Sequence, residues 1–282
     1  MNSRILLPVL IFLYLLAIFP FTAYMKNKPF VEKVGYIPSP EFLRLVSADQ
    51  KQTLAAALMM KVIIYYGGEV ERAKNQIAVS VDYPGMFQAI SASVKLDPYN
   101  TDAYYFAQAV LVWGVHQVEI ANELLKYGMR YRVWDYYLPY FAGFNYAYFL
   151  KDYENAAKYY KRVGELVGTD LPINLAGRYM YESGKTDMAI SYLDEMIRGA
   201  GNEAVKNSLQ TRLKAFQAVK IIEQAKEKFH GKFHKDPVSI EELLAKGYLK
   251  ELPVDPYGGT FYIDKQGMVR STSKFAYGVV TK

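Results

Sequence analysis

Two short stretches contain residue types that carry chemistry in other proteins. The first, Ser183-Gly184-Lys185-Thr186, matches the end of a phosphate-binding loop, in which the lysine and hydroxyl hold phosphate and magnesium. That loop needs a glycine five residues before its Gly-Lys pair, and Tyr179 occupies that position. The flanking residues have helical patterns, whereas a phosphate-binding loop follows a strand. The stretch therefore predicts a turn between two helices.

The second stretch contains His230 and His234, whose i, i+4 spacing suits zinc when a third ligand joins them. Gly231 interrupts the helical pattern between them, and neighbouring lysines oppose a cation. His116 has no recognisable serine or cysteine partner. We predict no metal, no cofactor and no catalytic residues. The alternative is an enzyme, most simply a hydrolase, whose site the spacing does not reveal.

The composition favours a folded protein that packs through aromatic rings. Of 282 residues, 51% are hydrophobic and 22% charged, so the chain can bury a core. It has 26 tyrosines, each of which combines a ring with a hydroxyl. It has no cysteine, which excludes disulfides, thiolate zinc sites, a lipidated cysteine and covalent haem.

Positive charge is concentrated between residues 205 and 235, against only Glu223 and Glu227. We interpret this segment as the solvated face of a helix. An acidic partner or anionic lipid is the second interpretation, and nucleic acid is a distant third because no recognition motif accompanies the charge. The basic residues are Lys206, Arg212, Lys214, Lys220, Lys226, Lys228, Lys232 and Lys235.

Residues 1–25 predict a membrane anchor. Ile5 to Met25 is an uncharged run bounded by Arg4 and Lys26, and about 20 apolar residues cross a bilayer. A cleavable signal needs a shorter apolar region and a small-x-small site, which Phe21-Thr22-Ala23 does not supply. We therefore favour an anchor through residues 5–25 over a cleaved signal. A short basic head before one apolar segment resembles an export signal, so we place the bulk of the chain in the periplasm, anchored by a single pass in a bacterial-type inner membrane.

Residues 26–66 are assigned to a linker and leading helices. Ser39-Pro40 predicts one helix start, with serine as the cap and proline at the first helical position. Ser47 to Gln50 predicts a capping box that opens a second helix, and Gly67-Gly68 predicts its end.

A period near 34 residues follows. Ala121, Ala156 and Ala189 are 35 and 33 residues apart, and a large side chain follows each one four residues later. Such a period predicts stacked helical hairpins that bury their cores against one another. The aromatic rings of residues 141–163 would then act as packing wedges.

Within this region, KDYENAAKYYKRV and SGKTDMAISYLDEMI resemble the second helices of tetratricopeptide repeats, and KLDPYN resembles the end of a repeat. The resemblance covers about residues 67–200 as roughly four repeats. It implies that Gly143 and Ala156 let two backbones approach, with Tyr140 and Tyr160 wedged into the next hairpin. In the following repeat it implies that Gly177 packs against Ala189.

The same resemblance implies a concave groove that binds a segment of another protein. We expect its rings to hold apolar side chains and Arg178 to pair with an acidic or C-terminal group, while Asn145 and Asn174 hold the peptide backbone. The alternative is that a helix of this chain fills the groove or that these residues merely pack. First-helix positions 5, 9 and 12 give Phe106, Val110, Trp113, Phe141, Asn145, Tyr148, Asn174, Arg178 and Tyr181.

Two further segments complete the chain. Apolar residues at three- and four-residue spacing predict a long closing helix within 201–235. Residues 236–282 predict a capping box at Ser239, a short helix ended by Gly247, and two strands, 260–263 and 268–271. We expect this module to be removable without unfolding the repeats. Its inward side chains are predicted to be Leu243, Leu244, Leu249, Leu252 and Phe261.

SIEELLAKGYLKELPVDPYGGTFY resembles the C-terminal part of type II secretion pseudopilins. The N-terminal apolar run lacks the acidic residue and cleavage motif of pilins, so we interpret the tail as a borrowed module. The resemblance also implies calcium near this turn. Only Asp255 and Asp264 offer hard oxygen ligands there, and calcium prefers six to eight oxygens.

The sequence thus predicts a mainly α fold: an N-terminal anchor, a tetratricopeptide-like solenoid of helical hairpins, and a small C-terminal α+β module. The predicted function is a membrane-anchored interaction scaffold for assembly of an envelope, secretion or pilus-like system. A structural subunit of a pseudopilus-like fibre is the third alternative, beside the enzyme.

Overall fold

The computed structural model describes residues 3–27, 32–75 and 80–276. The end of the predicted tail module, 277–282, and parts of the linker and first repeat, 28–31 and 76–79, lie outside these residues. The chain forms two compact units, residues 1–110 and 111–282. The fold is mainly helical, with one two-stranded sheet in the described part of the C-terminal region.

The first unit begins with the predicted apolar helix, α1 (Ser3–Asn27). Its segment Leu7–Tyr24 has a mean hydropathy of 2.1 and no buried residue, which makes it long and apolar enough to cross a membrane. Four helices follow: α2 (Pro40–Ser47), α3 (Lys51–Lys74), α4 (Tyr83–Leu96) and α5 (Thr101–Ala107).

The start of α2 is confirmed, because the Ser39 side chain accepts a hydrogen bond from the backbone N–H of Phe42. The predicted capping box at Ser47 is wrong. Ser47 is the last residue of α2, and α3 begins after Gln50 without a side-chain cap.

The predicted end of α3 at Gly67-Gly68 is also wrong, because the helix runs on to Lys74. Side chains before and after the glycines are buried on one face of α3, including Tyr65 and Glu69. The Tyr65 hydroxyl accepts from the Asp82 N–H at 2.7 Å and donates to the Glu32 carbonyl at 3.0 Å. Tertiary contacts thus hold the helix together across residues that favour its end.

A π-helical segment, Gln108–Gly114, crosses the boundary between the units. The second unit continues with helices that each pack against the next, and α8 lies between α7 and α9. The turn predicted at 183–186 separates α9 from α10. These helices are α6 (Val118–Met129), α7 (Tyr137–Asn145) with a second π-helical segment (Tyr146–Leu150), α8 (Tyr153–Val167), α9 (Asp170–Glu182) and α10 (Thr186–Gly199).

Close approach between paired helices occurs at glycines. A Cβ added to Gly143 would lie 3.0 Å from the Tyr160 ring, and one added to Gly177 would lie 3.3 Å from Leu193. The nearest side chains at these glycines are thus the large ones four residues after Ala156 and Ala189.

The closing helix is confirmed as α11 (Glu203–Phe233), with Asn202 as its cap. It packs against α9 and α10, and also against the short helix α12 (Ile240–Ala245) and the sheet. Strands β1 (Phe261–Ile263) and β2 (Val269–Ser271) pair antiparallel, so the predicted hairpin is confirmed.

The tail is a continuation of the core of the second unit. One cluster of buried side chains runs from Ala157 through α9, α10 and α11 to Phe275. Leu243, Leu249 and Phe261 are buried as predicted, whereas Leu252 is half exposed. The Ser239 side chain does not cap α12; instead Glu242 accepts from the Val238 N–H at 2.8 Å.

The predicted turn at Asp255 is built around its buried carboxylate. That carboxylate accepts hydrogen bonds from the hydroxyls of Ser271 and Ser273 and from the Tyr257 N–H. Asp264 instead pairs with Arg270. No group of three or more potential metal ligands occurs among the residues that the structure describes.

Candidate partner-binding groove

Two exposed aromatic rings of the second unit lie on the two π-helical segments. Trp113, on the first, is 57% exposed, and Tyr148, on the second, is 55% exposed. A π-helix adds one residue to each hydrogen-bonded turn and is frequently found at functional sites. Exposed apolar side chains that lie together, rather than singly, mark interaction surfaces.

These rings form one cluster. The Trp113 ring lies 5.0 Å from Phe149, 6.2 Å from Phe144 and 6.3 Å from Tyr148, measured between centroids. Phe144 and Tyr148 stack at 5.4 Å with an interplanar angle of 10°. The rings are held in place by each other, so the cluster is a preorganised apolar surface.

A cavity of about 220 Å³ adjoins the cluster, and we name it, together with Trp113, the aromatic groove. Lys151 supplies a cation on one side, 5.2 Å from the Tyr148 ring. Arg178 supplies a second cation from α9, and its side chain is 40% exposed. The cavity is lined by Phe144, Ala147, Tyr148, Lys151, Tyr153, Arg178, Tyr179 and Glu182.

A chain of ion pairs leads from the aromatic groove to the β-hairpin. Arg178 Nε lies 3.9 Å from a Glu182 oxygen, and the other Glu182 oxygen pairs with Arg270. Arg270 Nε lies 3.0 Å from Asp264. Burial raises the pKa of Asp264, but hydrogen bonds from the Met268 N–H and Arg270 outweigh it, so the pKa is lowered.

Three residues predicted for the groove come together there: Trp113, Tyr148 and Arg178. The prediction is wrong for Asn145, which is fully buried and donates to Asn122 Oδ1 at 2.8 Å. Asn145 therefore cannot meet a peptide backbone without breaking this internal hydrogen bond.

Tyr181 and Asn174 are occupied by other parts of the chain, which was the alternative interpretation. Tyr181 is 1% exposed, stacks on Phe216 of α11 at 5.1 Å, and donates its hydroxyl proton to the Val269 carbonyl. The Asn174 amide donates to Ser208 of α11 at 3.0 Å. The closing helix α11 and the sheet thus occupy the part of the predicted groove that Asn174 and Tyr181 were expected to line.

The three remaining residues lie elsewhere. Phe141 is half-buried and stacks on Tyr137 at 6.4 Å. Phe106 belongs to the first unit and meets Tyr66 edge-on at 5.7 Å, while Val110 is buried. Neither Phe141 nor Phe106 lines the aromatic groove cavity.

Sequence reasoning missed Lys151, which ends the second π-helical segment in a left-handed conformation with φ of 54°. It lies outside the positions that the tetratricopeptide resemblance marks. In the FLKDY sequence, Lys151 lies close to two aromatic residues. The groove is recognisable only when the π-helical segment before Lys151 is known.

A larger, polar cleft of about 740 Å³ lies between the start of α10, α11 and the hairpin turn. Its charged groups are engaged with neighbours inside the chain: Lys220 with Asp187 at 2.8 Å, and Lys226 with the Gly267 carbonyl at 2.6 Å. His230, predicted to be solvated, contacts Asp236 at 3.1 Å. The basic face of α11 is therefore partly directed towards the tail.

Comparison of the chain with family models, curated proteins and solved structures finds no match. Fold and site together define a mainly helical protein with an apolar N-terminal helix and an exposed groove of rings and cations.

Proposed function

We propose that this protein is a membrane-anchored scaffold whose aromatic groove binds a segment of another protein. The observation that carries the proposal is a cavity lined by the half-exposed ring of Tyr148 and by two cations, Lys151 and Arg178, with the half-exposed Trp113 ring 6.3 Å from that of Tyr148. Aromatic and arginine side chains dominate the energetics of protein interfaces.

The chemistry of the groove favours one class of ligand. The stacked rings suit an apolar side chain, and the two cations suit a carboxylate, which a guanidinium binds through paired N–H donors. An acidic residue or a C-terminal carboxylate beside a bulky apolar residue supplies both. Asn145, which is buried, and Asn174, which is bonded to Ser208, have no part in the proposed groove.

A tetratricopeptide-like arrangement of α6 to α10 is part of the proposal. It is supported by the packing of each of these helices against the next and by the close contacts at Gly143 and Gly177. With the apolar helix α1 as an anchor and the groove in the periplasm, the scaffold would serve assembly of an envelope, secretion or pilus-like system.

Intrinsic fluorescence tests this function directly, because the chain has only two tryptophans. Trp134→Phe leaves Trp113 as the sole indole reporter, in full-length protein held in lipid nanodiscs. Titration with short peptides ending in a bulky apolar residue should change Trp113 emission when the C-terminus is a free carboxylate. The same peptides carrying a C-terminal amide should bind at least about tenfold more weakly, because each lost charged hydrogen bond is worth about 1.5–3 kcal/mol.

Arg178→Gln should weaken carboxylate binding by a similar factor with an unchanged thermal midpoint. Arg162→Gln is the matched control, since Arg162 is 46% exposed and also pairs with a glutamate on its own helix. Equal binding of acid and amide peptides, or equal effects of the two arginine variants, would refute the assignment of the groove.

A further inference from the structure

Helix α2 carries large apolar side chains on two neighbouring faces. Leu43 and Ser47 are buried in the first unit, where Leu43 packs in a cluster with side chains of α3 and α4. Phe42, Leu45 and Val46 are instead 53%, 80% and 55% exposed. Their i, i+3 and i+4 spacing places them side by side on the helix. α2 therefore has an exposed apolar face beside the face that packs.

A short stretch of chain joins the first unit to the proposed membrane anchor. α1 ends at Asn27, and Val34, seven residues later, is already held in the unit. Val34 is 4% exposed, and its N–H donates to Asp82 Oδ2 at 3.3 Å. Seven residues span at most about 25 Å, even when fully extended. The first unit is therefore confined next to the membrane that α1 is proposed to cross.

This confinement identifies a bilayer as the occupant of the exposed face of α2. A short tether makes contact an intramolecular step, with an effective concentration of about millimolar. A free protein would have to reach a similar concentration to compete for the same face. Phe, Leu and Val side chains gain free energy when they leave water, and amphipathic helices bury such a face at the boundary between lipid headgroups and acyl chains.

The neighbours of this face suit the headgroup layer. Tyr36, shortly before α2, is 86% exposed, and tyrosine is enriched at membrane interfaces. A cation adjoins it, because the Lys61 amine would lie 3.4 Å from a Cβ added to Gly35. Glu41 and Arg44, the charged residues of α2, offset each other. The exposed lysine is left to attract anionic headgroups.

We propose that α2 lies on the bilayer surface, with Phe42, Leu45 and Val46 at the boundary between headgroups and acyl chains. The bilayer face is the one at which α1 ends, so the first unit has a second, reversible contact with the membrane. This contact restrains the orientation of the first unit against the bilayer. The inference rests on the proposed anchoring through α1 and is independent of the aromatic groove.

The natural absence of cysteine allows a direct test. Leu45→Cys in the full-length chain is labelled with a small fluorophore and reconstituted in liposomes of phosphatidylcholine and phosphatidylglycerol. Lipids brominated on the upper part of the acyl chain should quench this label at least about threefold more than a label at Asp102→Cys, because an interfacial helix buries its apolar face only about 5–10 Å deep. Asp102 is the control, as an exposed residue in the first turn of α5 of the same unit.

A second variant separates lipid contact from folding. In a chain labelled at Val46→Cys, Leu45→Glu should reduce quenching to the level of the Asp102→Cys control. The thermal midpoint should not change, because Leu45 is 80% exposed and leaves the core intact. Leu171→Glu is the matched control, since Leu171 is also an exposed helical leucine, at 57%, and should leave quenching as it was.

Three results would overturn the contact, and they have different meanings. Equal quenching at Leu45→Cys and Asp102→Cys in a chain that resists carbonate extraction shows that α1 anchors the protein while α2 stays off the bilayer. A label that is shielded from aqueous iodide but not quenched by brominated lipid, or quenched in liposomes but not in nanodiscs holding one copy, shows that protein covers the face. Recovery of the chain in the soluble fraction refutes the anchor, and this inference with it.

Discussion

At the scale of single residues, Tyr160 joins three helices. Its ring lies edge-on to Tyr140 of α7 at 5.6 Å and stacks on Tyr179 of α9 at 5.6 Å. Burial raises the pKa of its hydroxyl. The side of the ring that faces α7 fits against Gly143, where no Cβ stands in the way.

Gly143→Ala should therefore destabilise the second unit by about 1–3 kcal/mol, the usual cost of overpacking a core. The Tyr160 ring would have to shift, and its two aromatic neighbours oppose the movement. Urea unfolding measures the change. Gly231→Ala, at an open helical position, should instead increase stability by up to about 1 kcal/mol. A neutral Gly143→Ala would contradict the close contact.

Glu223 predicts a pH dependence of stability. It accepts a hydrogen bond from the Thr186 hydroxyl at 2.9 Å, and burial raises its pKa above the usual 4.5. Its stabilising contribution is complete below the unfolded pKa and is lost as the pH rises through the folded value. Glu223→Gln keeps an acceptor for Thr186 without ionising.

The thermal midpoint of Glu223→Gln should accordingly rise relative to the natural protein between about pH 4 and pH 7. Calorimetry across this range measures the difference. Glu227→Gln, at an exposed position on the same helix, serves as the control. A constant difference across the range would show that Glu223 ionises normally in the folded protein.

At the scale of elements, the tail completes the packing of α9 and α11. Phe275 is 4% exposed, and its ring meets those of Tyr181 and Phe216 at 5.4 and 5.5 Å. That the remaining helices stay folded without the tail is still a prediction, but α9 and α11 should be loosened. Removal of the tail would expose aromatic side chains worth about 1.5–3 kcal/mol each when buried.

Truncation after Lys235 should raise hydrogen exchange in α9 and α11 while α7 and α8 stay protected, because the rings of the tail pack on α9 and α11. Exchange mass spectrometry resolves these segments. Phe275→Ala should reproduce the same pattern with a smaller amplitude. Unchanged exchange in α9 would show that the tail is a separate module.

Elements were predictable where apolar spacing and capping agree, as in α11 and the β-hairpin. Elements were not predictable where distant contacts override local preference. At Gly67-Gly68, for example, α3 continues because residues before and after the glycines are packed in the core. The nearness of Trp113, Tyr148 and Arg178 agrees with the spacing that the repeat resemblance implies, and their role as a groove stays a prediction. The prediction failed at Asn145 and Tyr181, because the spacing of residues in the sequence does not show which side chain of the same chain will pack against them.

At the scale of the whole molecule, the proposed anchor is α1. Its apolar segment Leu7–Tyr24 has no buried residue and is long and apolar enough to cross a membrane. The full-length protein should stay in the membrane fraction after high-salt and carbonate washes, with Met1 retained. A reporter that is active only outside the cytoplasm should be active after Lys282.

Fractionation and N-terminal sequencing provide the measurement. A chain lacking residues 1–27 should become soluble, which controls for attachment through other surfaces. Recovery of a soluble natural chain beginning near residue 24 would identify a cleaved signal instead, and an inactive reporter would reverse the orientation.

The ion pairs that run from Arg178 through Glu182 and Arg270 to Asp264 have a thermodynamic consequence. If the proposed function is correct, a ligand carboxylate in the groove competes with Glu182 for Arg178. The Glu182–Arg178 ion pair is then weakened and the Glu182–Arg270 ion pair is strengthened. Filling the groove then strengthens the docking of the hairpin. Linkage is reciprocal, so a partner that grips the hairpin would raise the affinity of the groove by the same factor.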